Sequence, residues 1–334
     1  MKPFFHYMTR LSIRPAAAVA LVAGCLMSMG SPAYAAYPAR PVRLVVPYSP
    51  GGTTDLITRI VAQGLSAELG QQVVVENRSG AAGTIGTGAV AKADPDGYTL
   101  VMGGTTSLAI APYMRKHPPY DSRTDLTPVG IVAKGPYLLV VSPNVESTSL
   151  KELVERAKEH PGELNYGSSG VGGMHHVLTE KFNRTVGIDA LHVPFKGGAE
   201  NTSNLLAGNI DYMLESVSSI LPLVQDGRVK ALAVTGKERL AALPDVPTVR
   251  ESLGSDFAGE SIIGIVGPKG LPQNVLDTLN EALEKTMKRP EVKDGIERLG
   301  SEPAFVNSED FAAFLAKEID SWAKVAQDAG IEKQ

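Results

Sequence analysis

The chain has 334 residues, with 32 Lys and Arg against 36 Asp and Glu, a single Cys, 34 Gly and 23 Pro. That length suits two domains. The near-neutral charge excludes a general nucleic-acid binder, which carries a basic excess or stripe, and one Cys excludes a disulfide framework or a multi-cysteine metal site.

In chain order, residues 1–35 come first as a predicted export signal. Lys2, Arg10 and Arg14 form a positive lead, residues 16–29 are almost wholly small and apolar, and Ala33-Tyr34-Ala35 has the small-x-small form of a signal-peptidase site. The run is short of the ~18–20 apolar residues that span a bilayer. A buried N-terminal helix is the bland alternative, but no polar helical face accompanies the run. Val22-Ala23-Gly24-Cys25 also has the form of a lipoprotein box that would lipidate Cys25. The continuing apolar run and the later Ala-x-Ala favour ordinary cleavage, and either route predicts a periplasmic protein. Without residues 1–35 the chain keeps 29 basic and 36 acidic residues, a net charge of −7, and no Cys. Thiol catalysis is thereby excluded, and stability rests on the core alone.

Beyond the signal, short β-rich runs alternate with helical patterns, which predicts parallel sheets with crossover helices. Residues 42–46 form a predicted strand, followed by a Gly/Pro loop over 47–54. A helix opens at Asp55, with apolar positions 56, 57, 60, 61, 65 and 69 on one face. Strands are predicted over 73–75 and 98–102, separated by a glycine-rich run over 79–88. After a strand at 137–141, Ser149-Leu150-Lys151-Glu152 has the capping-box form of a helix start. Residues 165–173 and 191–198 repeat the strand-then-glycine theme. Further strands are predicted at 210–214, 229–234 and 261–266, then helices at 273–288, 291–299 and 308–328, the last with Trp322 as a core residue.

Four glycine loops follow predicted strands: Pro50-Gly51-Gly52-Thr53-Thr54-Asp55, Gly80-Ala81-Ala82-Gly83-Thr84, Gly103-Gly104-Thr105-Thr106-Ser107 and Ser168-Ser169-Gly170-Val171-Gly172-Gly173. In an open α/β sheet such loops lie at the carboxyl ends of the strands, where ligands bind. Glycine allows close backbone approach, and helix-start N–H groups favour an anion. The hydroxyls of Thr53, Thr105, Ser168 and Ser169 add polar partners; the bland reading of any one loop is a tight turn. Neither a dinucleotide fingerprint, a P-loop nor a nucleophile elbow occurs. His175-His176 is the one adjacent pair of histidines that could offer metal ligands, yet helix neighbours point apart. His176 with Glu180 is a helical i,i+4 polar pair before it is a catalytic one. Lys196 beside Gly197 offers a charge to an anion, or is a solvated surface lysine. Asp55 is first an N-cap candidate, and Tyr48 and Met174 are either pocket-lining or core.

Taken together, these segments resemble a known family. Tyr37-Pro38-Ala39-Arg40-Pro41-Val42-Arg43-Leu44-Val45-Val46-Pro47-Tyr48, Val75-Glu76-Asn77-Arg78-Ser79-Gly80-Ala81-Ala82-Gly83, Asp94-Pro95-Asp96-Gly97-Tyr98, His192-Val193-Pro194-Phe195-Lys196-Gly197 and Leu243-Pro244-Asp245-Val246-Pro247-Thr248 are similar to the matching stretches of Bug proteins. These are the extracytoplasmic solute-binding components of tripartite tricarboxylate transporters. The resemblance covers essentially the whole mature chain. It implies an α/β protein with the two-lobed periplasmic binding-protein fold (type II), two α/β domains joined by two crossover segments. Lobe 1 would comprise residues 36–138 and 262–334, and lobe 2 residues 139–261.

The resemblance also implies a ligand carboxylate held between two loops, largely by backbone groups and ordered waters, without a dedicated Arg. Carried over by motif, the first loop contributes Tyr48, Ser49, Gly51, Gly52, Thr53 and Asp55, with Ala82, Gly83, Thr105 and Thr106 beside it. The opposing loop contributes Ser168, Ser169, Gly172, Gly173, Met174 and His175, with Lys196 nearby. The chain departs from the family pattern at Gly173-Met174-His175 and at Leu214-Glu215-Ser216, so Met174, His175 and Glu215 are expected to set selectivity at the far end of the ligand. An aromatic or heteroaromatic carboxylate, or one with a donor for Glu215, fits that expectation, as does a di- or tricarboxylate. The expected protein is a non-catalytic, monomeric receptor without cofactor, metal or nucleic-acid partner, serving a tripartite tricarboxylate permease. An orphan receptor feeding a sensor kinase and a periplasmic hydrolase using His176 and Glu180 are the alternatives.

Overall fold

The computed structural model describes residues 37–333. The predicted export signal, with Cys25 and Ala33-Tyr34-Ala35, lies outside the described residues. Among the described residues, the unit that carries the fold begins at Arg40. Its first part comprises β1 (Val42–Val46), α1 (Thr53–Leu69), β2 (Val73–Asn77), a single 3-10 turn (Ala81–Gly83), α2 (Thr84–Ala91), β3 (Thr99–Gly104) and a π-type turn (Thr106–Ile110). Next come β4 (Leu126–Val141), α3 (Leu150–Glu159), β5 (Asn165–Ser168), α4 (Met174–Val186), β6 (Leu191–Pro194) and α5 (Gly198–Ala207). β7 (Tyr212–Ser216), α6 (Val217–Gln225), β8 (Lys230–Val234), α7 (Val249–Leu253) and β9 (Glu260–Pro268) follow. The chain closes with α8 (Gln273–Lys288), α9 (Pro290–Arg298), β10 (Glu302–Val306) and α10 (Ser308–Asp328).

The strands join in the order β2-β1-β3-β9-β4-β7-β5-β6, with β10 and β8 also on β4. β1 runs parallel to β2 and β3, and β5 parallel to β6 and β7, as the alternating pattern predicts. The expectation of parallel sheets is corrected in the middle. There β9 is antiparallel to β3 and β4, and β4 is antiparallel to β7, β8 and β10. The cause is the route of the chain, which passes from one half of the sheet to the other along β4 and returns along β9. Residues 126–136 of β4 pair with β9, whereas residues 137–141 pair with β7 and β8. The sequence pattern marks only that second half as strand, because Pro128, Gly130, Gly135 and Pro136 interrupt the first. β4 absorbs them by shifting register against β9 between Pro128 and Gly130 and again between Ile131 and Ala133.

Helix limits follow local chemistry. α1 starts at Thr53, not at Asp55, and ends at Gly70, whose φ of 66° closes the last turn in the left-handed region. It buries Ile57, Val61 and Leu65, while Gly64 lets α8 approach: a Cβ there would stand 2.6 Å from Thr286 Cγ2. α10 is capped by Asn307, which accepts from Asp310 N at 2.9 Å, and buries Phe311, Leu315, Ile319, Trp322 and Ala326 at helical spacing. In α3, Ser149 accepts from Glu152 N at 3.3 Å, and the Glu152 carboxylate reaches back to Thr148 N at 2.7 Å. The glycine-rich run over 79–88 is not all loop, since α2 begins at Thr84 within it.

The parallel arrangement in each half has one consequence for function. The carboxyl ends of β1, β3, β5 and β7 release the chain at residues 47, 105, 169 and 217, and these four exits all meet one cleft.

Candidate functional site

The cleft has a volume of about 460 Å³, in the range of small-ligand sites. Of the predicted residues it brings together Tyr48, Ser49, Gly52 and Thr53 from the β1 exit, and Thr105 and Thr106 from the β3 exit. Ser169, His175 and Glu215 face them from the other half. Sequence reasoning missed the floor, built from Gly135, Pro136 and Tyr137 of β4 with Ser261, Ile262 and Ile263 of β9. It also missed the β7 exit, where Ser216, Val217, Ser218 and Ser219 line the wall. A hydroxyl-rich segment directly after a strand was the signal there; it lacks the glycines that drew attention elsewhere.

Three helices of eight or more residues begin on this wall: α1 at Thr53, α5 at Gly198 and α6 at Val217. Their N-caps, Gly52, Gly197 and Ser216, make no side-chain capping bond. The first-turn N–H groups therefore remain available, together with the positive end of each helix dipole. The Thr53 and Ser218 hydroxyls touch, so the starts of α1 and α6 are neighbours. No Lys or Arg stands among the described lining residues.

The remaining predicted residues do not line the cleft. Asp55 is 2 % exposed and caps nothing in the expected sense: Gly52 is the N-cap, and Asp55 lies in the first turn. Its carboxylate accepts from Gly51 N at 2.9 Å, from Asn77 Nδ2 at 2.8 Å and from Arg59 at 3.0 and 3.1 Å, which locks the 47–54 loop onto α1 and β2. Burial pushes its pKa up, but the bonds from Arg59, Gly51 and Asn77 outweigh that and hold it below the ordinary value. Asp55→Asn would set an amide N–H against these donors. An expected loss of about 1–2 kcal/mol is checked by urea unfolding, with Arg59's half-exposure keeping the figure low.

Gly83 packs beneath Tyr48, since a Cβ there would lie 2.8 Å from Ser107 Cβ and 3.1 Å from Tyr48 Cε1. Ala82 is exposed at φ 56° beside Gly83 and does not line the cleft. Burial raises the Tyr48 phenol's pKa despite its bonds to Ser107 and Gly104, so it stays protonated. Ser168 is buried, with Oγ 2.7 Å from His192 Nε2. Gly172 N donates to His176 Nδ1 at 3.0 Å, and Gly173 is the N-cap of α4. Met174 is a core residue, 3 % exposed. Lys196 is exposed and outside the cleft; its backbone N donates to Glu200 Oε2 at 3.0 Å. The solvated alternative holds for that side chain.

His175 and Glu215 form the charged centre. His175 Nε2 lies 3.1 Å from Glu215 Oε1, and His175 Nδ1 lies 2.5 Å from Ser169 Oγ. Glu215 Oε1 also accepts from Ser216 N at 2.9 Å and Ser216 Oγ at 3.0 Å. Burial opposes charge on both groups, but their mutual attraction and hydrogen bond win: His175 is raised and Glu215 lowered from their ordinary pKa values. The Tyr137 ring stands edge-on to His175, with centroids 5.8 Å apart.

The profile of the tripartite tricarboxylate transporter family receptor matches residues 57–331. The chain belongs to this receptor family. BugT of Bordetella pertussis is 34 % identical over 295 residues, covering 88 % of this chain and 90 % of BugT. Rpa4515 of R. palustris, solved with adipate, superposes with a TM-score of 0.79 at 34 % identity, covering 89 % of this chain and 99 % of its own. MatC of Rhodopseudomonas palustris, solved with malate, gives a TM-score of 0.73 at 30 % identity, covering 86 % and 99 %. The fold is that of the periplasmic binding proteins in this family. The receptor reading replaces the hydrolase alternative. His176 Nδ1 accepts from Gly172 N, and Glu180 is engaged by the Tyr166 hydroxyl, so neither belongs to the cleft. No described helix is long and apolar enough to cross a membrane.

Proposed function

We propose that this receptor is exported to the periplasm, closes two lobes on one small organic carboxylate and passes it to a tripartite tricarboxylate permease. The lobes are residues 36–138 with 262–334, and residues 139–261, which β4 and β9 join. The observation that carries the reading is the convergence of the uncapped starts of α1, α5 and α6 on one cleft without Lys or Arg. Such a site draws an anion by oriented N–H groups and dipoles, and closure follows from tighter binding to the closed state. Adipate and malate in the relatives support a ligand of that size and charge.

A thermal-shift screen of dicarboxylates and aromatic carboxylates tests it. A ligand present at about 100 times its Kd should stabilise the protein by about 2.7 kcal/mol, and mass spectrometry should recover the acid unchanged. Stabilisation by neutral sugars or cationic amines, with none by any carboxylate, would refute the reading.

A further inference from the structure

Ser169, His175 and Glu215 stand in line, in the order of a hydrolase triad, inside a receptor. Their polarity differs from that of a triad. A triad histidine rests neutral and accepts the serine proton, whereas the buried carboxylate of Glu215, 3.1 Å from Nε2, favours the protonated form of His175. An imidazolium donates from both nitrogens. With Nε2–H given to Glu215 Oε1 and Nδ1–H given to Ser169 Oγ, the serine oxygen is already an acceptor, and its own proton is free to point elsewhere. The free direction is the cleft, whose wall Ser169 forms.

We propose that Glu215 and His175 set the direction of the Ser169 hydroxyl, making Ser169 a hydrogen-bond donor through which this receptor reads a carboxylate oxygen of its ligand. The inference rests on the carboxylate reading above. Ser169 touches the ligand, while His175 and Glu215 act through it as positioning residues. Were His175 neutral at Nδ1, Ser169 would donate its proton to the ring and turn lone pairs toward the ligand carboxylate. One proton on His175 thus switches the site between attracting and repelling that group. The titratable groups facing His175 are Glu215, from β7, and Tyr137, from β4. Burial raises the Tyr137 phenol, so it stays neutral and leaves Glu215 in control. Glu215 is 3 % exposed and pinned by Ser216, which fixes the end of the relay.

Calorimetric titration with adipate, malate and benzoate at several pH values, on the full mature chain, tests the relay. For whichever acid binds, Ser169→Ala should weaken affinity by about tenfold to a hundredfold, the range for a hydrogen bond to a charged group. Wild-type affinity should decline as pH rises through the raised pKa of His175, and Ser169→Ala should lose that dependence. Glu215→Gln keeps the shape but removes the counter-charge, so the decline should move to lower pH. Binding within twofold in Ser169→Ala, with an unchanged pH profile in both variants, overturns the relay alone. If wild type binds none of the acids, the carboxylate reading fails and the relay with it. The wild-type pH profile decides the matter even where a variant folds poorly, because a flat profile contradicts the switch.

Discussion

Gly86→Ala is expected to destabilise the receptor by about 2–3 kcal/mol, although alanine in a helix interior ordinarily gains about 1 kcal/mol over glycine. Gly86 sits within α2, where the helix lies against the start of the 47–54 loop. A Cβ at this position would stand 2.6 Å from the Arg78 carbonyl oxygen and 3.0 Å from Pro47 Cα. Both obstacles are backbone, so no rotamer change relieves them. Overpacking of this kind costs about 1–3 kcal/mol or more, and here it must exceed the propensity gain. Gly88, two residues on, is the control. Its added Cβ would meet side chains only, Tyr120 Cδ1 at 3.3 Å and Pro119 Cβ at 3.4 Å, which can yield by a few tenths of an ångström. Gly88→Ala should therefore stay within about 1 kcal/mol of wild type. Urea midpoints of the two variants, compared at equal slope, check the contrast. Because Pro47 leads directly into Tyr48, Gly86→Ala should also weaken carboxylate binding, while Gly88→Ala should not.

The same pair shows what a sequence can carry. Glycines at 80, 83, 86 and 88 mark close approach as a group, and none of them lines the cleft. Yet Gly83 and Gly86 serve the site from behind, one beneath Tyr48 and one beneath Pro47. Nothing in a linear pattern separates a glycine that admits a ligand from one that admits a neighbouring loop. The four strand exits were legible for three of their number, because β1, β3 and β5 end in glycine and hydroxyl residues. The exit of β7 ends in Ser216 and its serine-rich helix start, and the floor comes from β4 and β9. Those central strands read as interrupted or short, since their alternation is broken by Pro128, Gly130 and Pro136 and their partners lie more than a hundred residues away. Asp55 shows the converse: its residue type announces a cap, but a set of donors from Gly51, Arg59 and Asn77 gave it a different task.

The two adjacent histidines at the start of α4 should titrate in opposite senses, and stability should record the difference. His175 points to Glu215, whose carboxylate raises its pKa. His176 points away, stacked on His192 with ring centroids 3.7 Å apart and planes 8° apart, and Tyr166 lies beside the pair, its centroid 4.9 Å from His192 and 6.4 Å from His176. Burial pushes His176 down to about 4, helped by His192, and burial alone takes His192 down to about 4. Both rings are also committed as neutral partners of the 168–173 loop: His176 Nδ1 accepts from Gly172 N, and His192 Nε2 meets Ser168 Oγ. A group whose folded pKa lies below its unfolded value of about 6.5 contributes stability that is present above that value and lost as pH falls through the folded pKa. The stack should therefore cost the protein a few kcal/mol between about pH 6.5 and pH 4. Each ring that must take up a proton on unfolding accounts for about 1.4 kcal/mol per pH unit in that window, and the two rings titrate as a coupled pair. His175 cannot be the source of that loss. Its pKa is raised, so its contribution is complete below about 6.5 and lost only as pH rises through the folded value. Asp55 and Glu215, both lowered, lose theirs at more acid pH than the stack. Urea unfolding of the ligand-free protein at half-unit steps from pH 7 to pH 4 should show the decline. His192→Phe keeps an aromatic ring against His176 but removes one proton site and the mutual repulsion, so its curve should be flatter. An equally steep curve in that variant would place the acid sensitivity elsewhere. A flatter one would mean that the loop carrying Ser169 is held by a pair of histidines that must stay neutral.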